Sequence, residues 1–112
     1  MEEKLTTEQI ASHLQGDEFI IPGKLSSYRS WLAAESYFLN QKIISILMVK
    51  PEKWLIIREN KKSDTAAERE WQSSKEGIEE MILSRKIKSI DKLMSAIKTR
   101  IDILLGESKN QF

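Results

Sequence analysis

The chain has 112 residues, with 18 Lys and Arg against 17 Asp and Glu, one His and no Cys. That length holds one domain, or one domain with a tail, and a chain 40% hydrophobic and 31% charged is too apolar to be a disordered tail. The missing Cys excludes a disulfide scaffold and every thiolate metal site, and the lone His13 excludes a His-based zinc or iron cluster within a single chain.

Four Gly and two Pro punctuate the sequence. Such sparse punctuation favours long helices over an all-β sandwich, which needs frequent turns. The first predicted helix opens on the capping box Thr6-Thr7-Glu8-Gln9, with Leu5 and Ile10 placed as a hydrophobic staple. Ile10 and Leu14 share its inner face, and Gly16 is expected to stop it in a left-handed conformation. Asp17 to Gly23 reads as an extended linker, because Pro22 restricts Ile21.

A second helix is expected from Leu25 or Ser26 to about Met48. Leu25, Tyr28, Leu32, Leu39, Ile43, Ile46 and Leu47 keep helical spacing, with Trp31 and Phe38 widening the stripe. Pro51 is expected to end it. Residues 52–60 contain Trp54-Leu55-Ile56-Ile57, a run too short for periodicity to choose between helix and strand. Asn60 to Thr65 reads as a polar turn. Two further capping signatures follow, Thr65-x-x-Glu68 and Ser73-x-x-Glu76. Either one helix runs from Thr65 to about Leu105, or it breaks between Gln72 and Gly77; continuity is the expectation, with Gly77 costing about 1 kcal/mol relative to Ala.

From Leu83 onward the apolar spacing is that of a coiled coil. Ile87, Met94 and Ile101 fall at a, and Leu83, Ile90, Ile97 and Leu104 at d, with Leu93 and Leu105 widening the face. Two uses are open: a homo-oligomer seam, which isoleucine at d directs towards trimers or larger assemblies, or packing against the second helix inside one chain. The fold class is therefore all-α. A short N-terminal helix and linker (1–24) precede a helical hairpin or bundle (25–112) that includes an oligomerisation helix at about 78–105.

Charge is segregated although the net is only +1. Residues 1–18 carry a local −4, residues 50–62 a local +3, residues 64–80 a local −4 and residues 84–100 a local +5. Lys53, Trp54, Arg58, Lys61 and Lys62 combine cations with an aromatic ring, the composition with which single-strand binders track phosphates and stack bases. The alternatives are a solvated helix face with Trp54 in the core, or blocks of opposite sign that neutralise each other, 64–80 against 84–100 between staggered protomers.

Catalysis finds little footing. The Glu pairs lack partner motifs, Gly77 stands alone without a phosphate loop, the serines have no nearby base, and His13 reads as a surface or interface residue. No cofactor and no metal is expected. The start, Met1-Glu2-Glu3-Lys4, is acidic, and the longest apolar run, Ile43 to Val49, is interrupted by Ser45 and far short of the ~20 residues of a membrane span. The expectation is a soluble cytoplasmic protein of a bacterium or phage with no membrane partner.

Asp17-Glu18-Phe19-Ile20-Ile21-Pro22-Gly23-Lys24-Leu25, followed by the Trp-bearing stretch Tyr28 to Leu39, resembles the opening of UvsY-type recombination mediators of tailed phages. The long C-terminal helix ending in Ser95-Ala96-Ile97-Lys98-Thr99-Arg100 and a polar tail is similar to theirs, so the resemblance spans about residues 17–112. It implies a small helical oligomer that binds single-stranded DNA and loads a recombinase onto strands covered by single-strand-binding protein. The family's compact basic-aromatic motif has no clear match; Arg58, Lys61 and Lys62 are the nearest substitute. The competing expectation is a phage-type inhibitor or adaptor that binds a host protein through Trp31, Trp54 and Trp71 and ignores nucleic acid.

Overall fold

A computed structural model describes residues 4–16 and 20–110, with side chains described to residue 106. Among the described residues there are four helices and no strand: α1 (Thr7–Gln15), α2 (Pro22–Glu59), α3 (Asp64–Ser73) and α4 (Lys75–Asn110). The fold is all-α, with a long C-terminal helix.

Helix α1 starts as its sequence dictates. Thr6 Oγ1 accepts from Gln9 N at 3.2 Å, and Gln9 Oε1 accepts from Thr6 N at 2.9 Å, so two orphan donors are satisfied reciprocally. Its stop differs from expectation: Gly16 is extended, at φ −71 and ψ 153, and not left-handed. The last turn of α1 is served from α4 instead, where the Arg100 guanidinium donates to the Leu14 carbonyl. Of the expected linker, residues 17–19 lie outside the described residues. Pro22 and Gly23 belong to α2, where Pro22 takes the first-turn position that needs no N–H, and the Ile21 carbonyl accepts from Leu25 N at 3.2 Å.

Helix α2 does not end at Met48. It runs through Pro51 to Glu59, which makes residues 52–59 helix and leaves Asn60 in the turn. Proline removes the N–H that would bond the Leu47 carbonyl and ordinarily costs about 3 kcal/mol inside a helix. Here Pro51 is exposed, and Lys50, Lys53, Trp54 and Arg58 around it are all held by partners on α3, α4 or the turn between α2 and α3. Those contacts outweigh the local propensity to break.

The expected continuous helix from Thr65 is two helices. Ser63, not Thr65, caps α3, its hydroxyl accepting from Ala66 N at 3.2 Å. The break falls at Ser74. The Ser74 hydroxyl donates to the Trp71 carbonyl at 2.6 Å and accepts from Gly77 N at 3.1 Å, so one side chain closes α3 and opens α4. Ser73, the cap suggested by the sequence, donates to the Glu70 carbonyl within α3. Gly77 is not a tolerated weak point. A Cβ there would lie 1.8 Å from the Trp71 carbonyl oxygen, so the close approach requires glycine.

The chain divides into two compact units. One comprises Met1–Ser36 with Lys88–Phe112; its buried apolar residues are Ile10, Leu14, Leu25, Tyr28, Leu32, Ile90 and Ile97. Tyr28 OH sits 2.8 Å from His13 Nδ1 with the rings edge-to-face, so His13 ties α1 to α2. The other unit comprises Tyr37–Ile87, with Leu39, Ile46, Ala67, Trp71 and Leu83 buried.

The coiled-coil positions of α4 are used unequally. Leu83, Ile90 and Ile97 at d are buried within the chain, whereas Ile87, Met94, Ile101 and Leu104 are half-buried. Three of the four d positions thus serve the chain's own core. In α2, Leu47 and Phe38 of the expected inner stripe are exposed, because each lies about 100° of helical turn away from the buried Ile46 and Leu39.

Candidate functional site

The second unit brings together most of the basic-aromatic residues expected to bind nucleic acid, and gives them protein partners. Trp54 Nε1 donates to Glu68 Oε2 at 3.0 Å. Lys53 pairs with Glu76, and the Lys61 ammonium lies 3.7 Å from Glu70. Arg58 donates through Nε to Asp64 at 2.6 Å and through Nη1 to the Lys61 carbonyl at 2.7 Å, fastening the turn between α2 and α3. Of the five, Lys62 alone is exposed and forms no ion pair with another described residue.

Lys50, which the sequence did not single out, sits at the centre of this network. Its ammonium is 3.9 Å from Glu68, 3.7 Å from Glu80 and 5.3 Å above the Trp71 ring, and Trp71 Nε1 donates to Glu80 at 2.9 Å. Lys50, Glu68, Trp71 and Glu80 line an open cleft of about 290 Å³ with Gly77 and Ser84. Trp71 itself is buried, so its face is not offered to a base. The Lys53 hydrogen bond, with a bond to its own backbone N–H and the charges of Lys53 and Lys75, holds the Glu76 carboxyl below its ordinary 4.5.

Five of the six carboxylates of the acidic block 64–80 therefore pair with the basic block 50–62 inside the chain. Exposed ion pairs contribute little each, about 0–1 kcal/mol, and phosphates could displace them. The displaced carboxylates would stay within a few ångströms of the DNA and repel it.

The basic residues of α4 behave differently. Arg100 is committed to Leu14. Lys86, Lys88, Lys92 and Lys98 are exposed, and none forms an ion pair with another described residue. In the first unit, Lys88, Lys92, Ser95 and Thr99 follow the i, i+4, i+7, i+11 spacing of one helix face. Lys88 and Lys92 are separated by about 6 Å of helix rise. Cations with hydroxyl-bearing neighbours are the side chains that contact phosphate oxygens.

Comparison with protein-family models, curated proteins and solved structures finds no match. The three tryptophans expected as partner anchors are engaged in the fold: Trp71 is buried, while Trp31 and Trp54 are half-buried. The exposed large apolar residues are others, among them Tyr37, Phe38, Met48, Leu55 and Ile56. Sequence periodicity could have found them, since α2 carries apolar residues at helical spacing on two opposite faces. Among the described residues no helix is long and apolar enough to cross a membrane, and no group of three or more acidic or histidine side chains could hold a metal ion.

Proposed function

We propose that this chain is a non-enzymatic helical protein that self-assembles and binds single-stranded DNA through phosphate contacts, acting in recombination or replication as a recombinase-loading mediator. The observation that carries the reading is the distribution of charge. Five of the six carboxylates of the acidic block are engaged by Lys50, Lys53, Arg58 and Lys61, and the lysines of α4 stay exposed. The phosphate-binding surface moves accordingly from residues 53–62 to the Lys88, Lys92, Ser95, Thr99 face. Two lysines per chain bind weakly, and assembly multiplies them. The recombination role, with a recombinase or single-strand-binding protein as partner, rests on the resemblance to UvsY-type mediators.

The test is fluorescence anisotropy with a labelled oligonucleotide across salt. Each phosphate contact contributes about −0.7 to the slope of log K against log salt for a single strand. Lys88→Glu with Lys92→Glu should flatten the slope by about 1.4 per chain. Lys53→Glu with Lys61→Glu should change it less. Equal binding by the α4 variant and the wild type would refute the site.

A second reading has its own observation. The outward face of α2 is apolar over most of its length in the second unit, which suits a protein-binding module indifferent to nucleic acid. It expects no oligonucleotide binding at low salt.

A further inference from the structure

Helix α2 carries a heptad seam on its outward face. Tyr37, Gln41, Ile44, Met48, Pro51 and Leu55 step by four, three, four, three and four residues, so they form one stripe. All six lie within the second unit and all are exposed, Met48 at 77% where the inward Ile46 is at 7%. None carries a charge. The core of the unit uses the opposite face, with Leu39 and Ile46 buried, so the seam contributes nothing to packing inside the chain.

We infer that a second copy of this chain covers the seam, with the two α2 helices antiparallel about a two-fold axis near Ile46. The spacing is palindromic. Reversing the helix about residue 46 places Tyr37 opposite the partner's Leu55, Gln41 opposite the partner's Pro51, and Ile44 opposite the partner's Met48. Any alternation of four and three reads the same reversed, so the spacing permits a two-fold pairing in which the same patch serves both partners. The register also brings the two copies of Leu47 together beside the axis and keeps Glu52 and Glu59 apart from their own copies. At the Gln41 layer an amide donor approaches the stretch where Pro51 deprives the Leu47 carbonyl of its helical N–H. The area fits as well. The four apolar seam residues, with the exposed flanks Phe38, Leu47 and Ile56, offer roughly 500 Å² of apolar surface. That is about the apolar share of the ~800 Å² that each partner buries in a standard-sized interface.

The inference deepens the self-assembly half of the proposed function and is independent of the DNA-binding half. Because the chain has no cysteine, single-cysteine variants report cleanly. Mixing Ile44→Cys with Met48→Cys under mild oxidation should give the mixed disulfide in at least tenfold excess over either homodimeric disulfide. Homodimers in excess would overturn the antiparallel register. Light scattering supplies the second arm. Wild type should have the mass of a dimer or a multiple of one. Ile44→Glu with Met48→Glu should halve that mass while the circular dichroism spectrum and melting remain those of a folded helical chain. If the double variant keeps the wild-type mass, the seam is refuted and self-assembly stands on another surface. If wild type is monomeric, both fall.

Discussion

Gly77→Ala inverts the usual expectation for a glycine in a helix. Propensity alone makes the alanine about 1 kcal/mol more stable. In the fold the new methyl would stand 1.8 Å from the Trp71 carbonyl oxygen and 2.7 Å from its carbon. Both are backbone atoms and cannot rotate away, so the α3–α4 junction must open. Opening it loosens the Ser74 hydroxyl bond to that carbonyl and its cap on Gly77 N, together worth about 1 kcal/mol. It also disturbs the buried Trp71, and overpacking of this kind costs about 1–3 kcal/mol. Set against the propensity gain, the net expectation is a loss of about 1–3 kcal/mol, or a fall in Tm of roughly 5–20 °C for a domain of this size. Urea melts followed by Trp fluorescence and circular dichroism measure it. Gly106→Ala is the control, because nothing lies within 4 Å of its added methyl, and it should be neutral or slightly stabilising. A Gly77→Ala chain as stable as wild type would refute the close approach.

Further outcomes follow from the same geometry. Ser74→Ala removes both cap bonds and should cost about 0.5–2 kcal/mol in the same melts, whereas Ser73→Ala should cost less. Ile97→Ala opens a cavity at a fully buried position and should cost about 2–5 kcal/mol. Glu76 is held below its ordinary 4.5, chiefly by the Lys53 hydrogen bond, so its contribution is present above pH 4.5 and is lost as pH falls through the lowered folded value. NMR titration of the Glu76 carboxyl should show that lowered midpoint, and Lys53→Met should raise it towards 4.5.

Local signals were read well and long-range ones were not. The Thr6 and Gln9 box depends on four adjacent residues, so it was visible without knowing the fold. The Ser73 signature was displaced by one residue because the Ser73 hydroxyl bonds Glu70 and the Trp71 carbonyl selects Ser74. Pro51 reads locally as a stop, whereas its neighbours on α2 are held by carboxylates 6 to 30 residues further along the chain, which no local rule anticipates. The same gap hides the pairing of 50–62 with 64–80. Both basic and acidic blocks were legible, but their pairing depends on α2, α3 and α4 forming one compact unit. Gly77 reads locally as a weak point in a helix, because its constraint is a carbonyl on a different helix. The heptads of α4 were legible as a pattern, yet a pattern does not say whether its d positions face a neighbour or the chain's own core.

The central claim is that this chain assembles and that the assembly holds single-stranded DNA. Light scattering of the full chain at low salt, alone and with a single-stranded oligonucleotide, tests both parts at once. The account predicts a mass that is a multiple of the 13.0 kDa chain, rising by that of bound DNA and losing the increment as salt is raised from ~50 to ~200 mM. A 13.0 kDa species whose mass the oligonucleotide leaves unchanged would contradict it.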